Sequence, residues 1–273
     1  MNIKQLCRKV GICRQNYYKA HKRRRRKEVN EGLVETLVRA ERASQPRLGG
    51  RKLYFMLKSE LKDAGVLIGR DRFFEVLRTK DLLLEPLPKV PYTTNSRHSL
   101  PVFRNMIKDI EVTGPNQVWV SDITYIRTSE GFIYLSLITD KYSRKIVGYH
   151  AGETLETEGC LKALEMALKK KPKNVVIIHH SDRGCQYCSH IYVEKLKENG
   201  FEISMTQENH CSENALAERV NGILKQEYWL GSTFNSKAQA CRAVKEAIRL
   251  YNTRRPHTSL KYKTPEQVHT IAA

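Results

Sequence analysis

No apolar run in the 273 residues approaches the roughly 18 that a membrane-spanning helix needs. The N-terminus is polar and basic, without the apolar stretch of a secretory signal. The reading is therefore a chain without a membrane segment, placed in the cytoplasm. Cysteine is present but unorganised: Cys7, Cys13, Cys160, Cys185, Cys188, Cys211 and Cys241 are odd in number and scattered, which argues against a disulfide framework and for a reducing compartment. Cys185 and Cys188 form a lone Cys-x-x-Cys with His190, His210 and Cys211 downstream, and without a second pair this is not a convincing zinc motif. There are no internal repeats. Proline is sparse except at 86, 88, 91 and 101, so the chain from residue 85 to 110 reads as an extended connector between domains.

Acid is in short supply relative to base. Only 29 Asp and Glu stand against 48 Lys and Arg, a net charge of +19, and a surplus of that size points to a polyanionic partner. It is unevenly placed: residues 1 to 110 carry 26 basic and 11 acidic side chains, whereas residues 111 to 273 carry 22 and 18. The front of the chain is expected to be what grips that polyanion.

Residues 1 to 27 read as a basic helix-turn-helix-like segment: two short helices around Gly11, with Leu6, Val10, Ile12 and Tyr17 as apolar positions, then six consecutive cations from Lys22 to Lys27. Residues 28 to 84 read as a helical DNA-binding module. Its last helix, from about Arg70 to Lys80, turns Phe73, Phe74 and Leu77 inward and presents Arg70 and Arg72 as candidate DNA contacts. A helical docking module kept soluble by its cations is the alternative.

After the connector, residues 111 to 273 alternate strands and helices. Three strands near 117–127, 131–139 and 145–150 are followed by a helix over 155–171, a strand over 174–179, a helix over 189–199 and a short strand over 201–204. That order is the ribonuclease-H-like plan, so the fold class is α/β, a ribonuclease-H-like core preceded by a small all-α helix-turn-helix-like module. Three acids stand out. Asp122 interrupts β-forming text, Asp182 ends an apolar run before Arg-Gly, and Glu218 lies on an amphipathic helix that shares its face with Asn214, Gly222 and Lys225. Phosphodiester cleavage and transfer need a deprotonated nucleophile and neutralised charge at phosphorus, which two Mg2+ or Mn2+ ions held by carboxylates from separate elements supply. Asp140, Glu213 and Glu227 are rival acids for which structural roles suffice. Near the C-terminus, Arg254, Arg255 and His257 follow a helix and read either as phosphate contacts or as a solvated helix end.

Trp119-Val-Ser-Asp122-Ile-Thr-Tyr, His180-Ser-Asp182-Arg-Gly and Asn214-Ala-Leu-Ala-Glu218 with Lys225 resemble the catalytic core of the integrase-like DDE transposases. The resemblance is to the second-frame (OrfB) products of the bacterial insertion-sequence-three family, over most of residues 28 to 268. Between Asp182 and Glu218 lie 35 residues, six separate Glu218 from Lys225, and Tyr251-Asn-Thr-Arg-Arg-Pro-His-Thr-Ser-Leu260 matches the family's C-terminal signature. The resemblance implies an insertion-sequence transposase, acting in the bacterial cytoplasm at the nucleoid. Such an enzyme cuts double-stranded DNA at the element's ends and joins a 3′ hydroxyl to target DNA. It implies Asp122, Asp182 and Glu218 as catalytic metal ligands, Lys225 as a contact near the cleaved end, homo-oligomers on DNA, and a partner protein from an upstream reading frame. The zinc module that opens retroviral integrases has no counterpart here, where only His21, Cys7 and Cys13 are at hand. A non-catalytic DNA-binding regulator and a nuclease of the same fold are the competing functions.

Overall fold

The computed structural model describes residues 2–85, 100–173, 175–207 and 211–271, with nothing said of the side chains of Cys211 and Ser212. Most of the expected connector, residues 86–99, and His210 lie outside the described residues. The chain divides into two compact units, Met1–Glu85 and Pro86–Ala273.

The first unit is all helical. Helix α1 (Ile3–Val10) opens with a capping box between Asn2 and Gln5 and closes on Gly11 in the left-handed conformation at φ 70°. Helix α2 (Arg14–Ser44) then runs unbroken for 31 residues. The expected pair of short helices and the boundary at 27/28 are therefore corrected: residue 27 sits in mid-helix, because nothing between Cys13 and Ser44 breaks a helix except Gly32, which one long helix tolerates. The six cations from Lys22 to Lys27 wind round its exposed middle. Of the positions expected to pack the short hairpin, Leu6, Val10 and Ile12 are exposed, and only Cys7 of α1 is buried. The core of the unit forms further on. Val34 and Val38 of α2 meet Leu53, Leu57 and Leu61 of α3 (Gly50–Asp63) and Phe73 and Leu77 of α4 (Arg70–Thr79).

The second unit holds a five-stranded sheet in the order β3-β2-β1-β4-β5. Strands β1 (Val118–Thr128), β2 (Gly131–Asp140) and β3 (Ile146–Gly152) form an antiparallel meander, and β4 (Ile177–Ser181) and β5 (Phe201–Met205) continue from β1 in parallel. Parallel strands need crossovers, which α5 (Thr157–Leu168), the single turn α6 (Cys185–Cys188) and α7 (His190–Glu198) provide. These helices bury Trp119, Ile138, Leu164, Tyr192 and Phe201 on one face of the sheet. Gly148 lets α5 lie close, since a Cβ there would stand 2.2 Å from the Ala163 carbonyl oxygen. On the other face α8 (Ala215–Glu227) and α9 (Lys237–Thr253) cover Ile126, Ile133, Leu135 and Leu137, and α10 (Pro265–Ile271) ends the described chain. Asp140 closes the β2–β3 turn from inside, accepting from Ser143 N at 2.7 Å, Ser143 Oγ at 2.6 Å and Asn116 N at 2.7 Å, a structural role.

Candidate active site

The pairing of β1 with β4 creates the site. Val118, Trp119 and Val120 stand level with Ile178, His179 and His180. That register, carried two residues further, points Asp122 toward Asp182, which follows the last residue of β4, and the charge of Asp182 is felt at Asp122. Two buried histidines fasten the strands below the acids. His179 Nε2 lies 2.8 Å from Ser121 Oγ and 3.0 Å from Tyr192 OH, and His180 Nδ1 lies 2.8 Å from Ser204 Oγ on β5. Burial pushes His179 down to about 3 and His180 to about 4, so both are neutral struts.

Asp182 turns back on its own loop. Its Oδ1 accepts from Gly184 N at 3.0 Å, and a Cβ at Gly184 would meet the same oxygen at 3.0 Å, so glycine lets the carboxylate lie against the backbone. Arg183 Nε donates to Thr206 O at 2.7 Å and ties the loop to the end of β5. Asp122 Oδ1 accepts from Ile123 N at 2.9 Å and its Oδ2 from Asn221 Nδ2 of α8 at 2.8 Å. Burial first, then the charge of Asp182 and more weakly that of Glu218, raise the Asp122 carboxyl to about 7, while the two hydrogen bonds oppose them. Asp122 therefore senses both other acids. The three are not drawn together around a point: among the described residues, no group of three or more His, Cys, Asp or Glu is placed to hold a metal ion. The same holds for Cys185, Cys188 and His190. Cys188 is buried with its thiol 3.6 Å from Met205 Sδ, whereas Cys185 is exposed.

Helix α8 brings the rest. Glu218, Asn221 and Lys225 fall at i, i+3 and i+7 and share a face, and a Cβ at Gly222 between them would meet nothing. Asn214, just before the helix, donates to Ser121 O at 3.0 Å and pins the helix start to β1. The Lys225 ammonium sits 4.6 Å from the centre of the Tyr125 ring. Burial holds it below its ordinary value, against the pull of Tyr125 and Asp122.

The remaining expected DNA contacts are differently placed. Arg255 and His257 are corrected outright, since both are inside. Arg255 is 2% exposed and grips Glu227 through Nε at 2.8 Å and Nη2 at 2.7 Å, with Nη1 2.9 Å from His257 Nε2. Arg254 beside it is exposed. In the helical unit Arg70 pairs with Asp71, and Arg72 with Glu31 and Glu75. Sequence reasoning missed Asn221, Tyr125 and the histidine struts. The only available signal was spacing for Asn221, three residues after Glu218 on its face.

With this geometry in view, the chain compares closely with known proteins. It is 36% identical to an insertion element IS600 uncharacterized 31 kDa protein of Shigella sonnei, over 98% of this chain and 100% of that one. It is 32% identical to the transposase InsF for insertion sequence IS3A of Escherichia coli, over 97% of this chain and 93% of the relative. The chain belongs to the transposases of the insertion-sequence-three family. Two integrase core domain families match residues 112–211 and 199–265, a span that contains all three acids and Lys225. In fold, it superposes with TM-score 0.50 on a chain of the simian T-cell lymphotropic virus intasome in complex with PP2A regulatory subunit B56 gamma. That match is 18% identical and covers 81% of this chain and 74% of the other. The transposase is thus an α/β protein with an integrase-type core.

Proposed function

We propose that this transposase cleaves and joins double-stranded DNA at the sheet edge where Asp122 and Asp182 lie, with Glu218 on the neighbouring helix α8. One observation supports the reading above the others: the parallel pairing of β1 with β4 runs toward Asp122 and Asp182, and the helix of Glu218 reaches the first of them through Asn221, whose Nδ2 donates to Asp122 Oδ2 at 2.8 Å. Half-buried, all-oxygen donors, with Asp122 held back from ionising by burial and by its acidic neighbours, fit hard divalent ions such as Mg2+ or Mn2+, whose charge would offset that cost. Asp122, Asp182 and Glu218 would hold them, two ions in all. When bound, the metals supply Lewis acidity at phosphorus and a deprotonated oxygen nucleophile.

The protein's own groups orient and screen. Asn221 holds Asp122 Oδ2, the Gly184 amide holds Asp182 Oδ1, and the paired strands keep both carboxylates at one edge. Lys225, steadied over Tyr125, offers a cation beside the carboxylates where a phosphate of the cleaved end would lie. Exposed Arg254 and the cations of α2 and α4 would add phosphate contacts of the sequence-independent kind. The enzyme would act as a homo-oligomer on paired element ends, with an upstream-frame protein as a further partner, in the bacterial cytoplasm at the nucleoid.

The test is Asp182→Asn, assayed with magnesium on duplexes carrying cut element ends. Loss of joined products with DNA binding retained supports the reading. No joined product from the unmutated chain, with or without an upstream-frame protein, overturns it. Hydrolysed ends without joining would instead make the protein a nuclease of the same fold.

A further inference from the structure

Away from the acids, the turn between β2 and β3 and the loop that follows α9 enclose a recess of about 520 Å3 whose lining includes Lys141, Arg144, Lys261 and Lys263 and no carboxylate. Among the described residues none of these four cations makes an ion pair. The contrast with their surroundings is sharp: Lys145 next door is bound to Glu266 at 2.9 Å, and Arg255 to Glu227. Residues 111 to 273 carry a surplus of only four positive charges, so four unpaired cations in one hollow are a concentration, not a sample of the surface. Lys141 and Arg144 are half-buried, and burial holds both below their ordinary values, Lys141 further lowered by Arg144 and Arg144 partly offset by Tyr251 and Asp140. The charge of Asp140 reaches Arg144, but its carboxylate oxygens are already engaged by Ser143 and Asn116.

The loops are also built to hold this arrangement. Arg144 at φ 65° and Lys261 at φ 52° adopt the left-handed conformation without being glycine, a cost that persists where surrounding bonds over-determine it. Here Arg144 N donates to Asp140 O at 2.9 Å and Arg144 O accepts from Tyr251 OH at 3.0 Å, while Lys261 N donates to Thr258 O at 3.2 Å. A second hollow of about 450 Å3 shares Lys141 and reaches Ala215 and Leu216 at the start of α8, passing Lys108 and Glu213. It links the basic recess to the helix that carries Glu218. Lys141 N is bonded to Val118 O at 2.8 Å, and Val118 lies four residues before Asp122 on β1, roughly 13 Å at strand spacing.

We infer that this recess is a second DNA-phosphate site, which takes the duplex backbone away from the point of reaction. It rests on the reading of the chain as a DNA-joining enzyme. The site makes no base contacts and adds affinity and register on any sequence. An acidic protein segment is the competing occupant, and its recognition would leave DNA binding untouched.

The experiment measures, for the full chain, the slope of log affinity against log salt on a duplex of unrelated sequence. The triple variant Lys141→Gln, Lys261→Gln, Lys263→Gln is compared with a control triple of exposed cations elsewhere on the core, Lys169→Gln, Lys173→Gln, Lys197→Gln. Removing one neutralised phosphate lowers the slope by about 0.9, so the recess triple is expected to lower it by about 2 to 3 and the control triple by less than about one. Thermal melting checks the fold, and should the triple unfold, Lys261→Gln and Lys263→Gln singly, both at exposed positions, are each expected to lower the slope by about 0.9. An unchanged slope, or a fall equal to the control's, overturns the inference. Joining by the unmutated chain is assayed in parallel, so that failure of the enzyme reading is told apart from failure of the recess.

Discussion

Replacing Arg255 by alanine should cost the catalytic unit its stability before it costs any DNA affinity. The Arg255 side chain is 3% exposed, and the Glu227 carboxylate it grips is itself mostly covered, with 17% of its side chain accessible. Burial works against the Arg255 charge, yet the two short bonds to Glu227 outweigh it and hold the group above its ordinary value. Removing one partner of such a pair strands the other charge in a poorly solvated place, at a cost of about 3–5 kcal/mol. For a unit of this size each kcal/mol lowers Tm by about 2–4 °C, so Arg255→Ala should melt roughly 6–20 °C earlier in a calorimetric scan. The double variant Arg255→Met, Glu227→Met removes both charges and keeps apolar volume, and should recover to within about 1–2 kcal/mol of the unmutated protein. Below its melting point Arg255→Ala should bind duplex DNA within about twofold of normal, because a guanidinium spent on Glu227 offers no donor to phosphate. A variant that melts normally but binds DNA more weakly would refute the reasoning and return Arg255 to the phosphate-binding role suggested by its sequence context.

Other substitutions probe the site directly. Asn221→Leu removes the donor to Asp122 Oδ2; strand transfer should fall about 10–100-fold, with the acid side of its pH–rate profile moving to higher pH, and an unmoved profile would deny Asn221 this positioning role. Tyr125→Leu should weaken end binding by about 2–5-fold by removing the ring beneath Lys225, whereas Tyr125→Phe keeps the ring face and should bind normally; equal weakening in both would point to the hydroxyl instead. His179 has a pKa depressed to about 3, so the unfolded chain takes up the proton first, and stability is complete above about 6.5 and falls as pH drops below it. At pH 5 the loss should be about 2 kcal/mol, read as the difference in denaturant midpoint between the unmutated protein and His179→Asn; a difference that does not vary with pH from 7 to 5 would contradict it.

How much of this was legible beforehand depends on how local each feature is. Periodicity and breakers are local, so the strand and helix order from Val118 to Met205 and the helices α3 and α4 were readable from residue type alone. The acids were readable because their spacing is a property of the chain, and strands that run apolar residues into a single Asp say where that Asp must surface. Continuity of α2 was harder: a basic run without Gly or Pro is compatible with either one long helix or an exposed segment, and it is the packing of Val34 and Val38 that commits its C-terminal half.

Charge partnership is not local, and there sequence and structure part. Arg254 and Arg255 are adjacent and chemically identical, yet one is exposed and the other is sealed against a glutamate 28 residues away on another helix. Nothing in either residue's neighbours distinguishes them; the direction of the chain leaving α9 does. The nearness of the Asp182 charge to Asp122, the hand of Asn221 on Asp122, the seating of Lys225 on Tyr125 and the gathering of Lys141, Arg144, Lys261 and Lys263 share that origin. The chain by itself determined which groups could do chemistry and in what order they occur. Which of them meet, which are buried and which keep a charge to offer DNA was decided only by tertiary packing, because solvation and Coulomb energy depend on distances that cross the sequence.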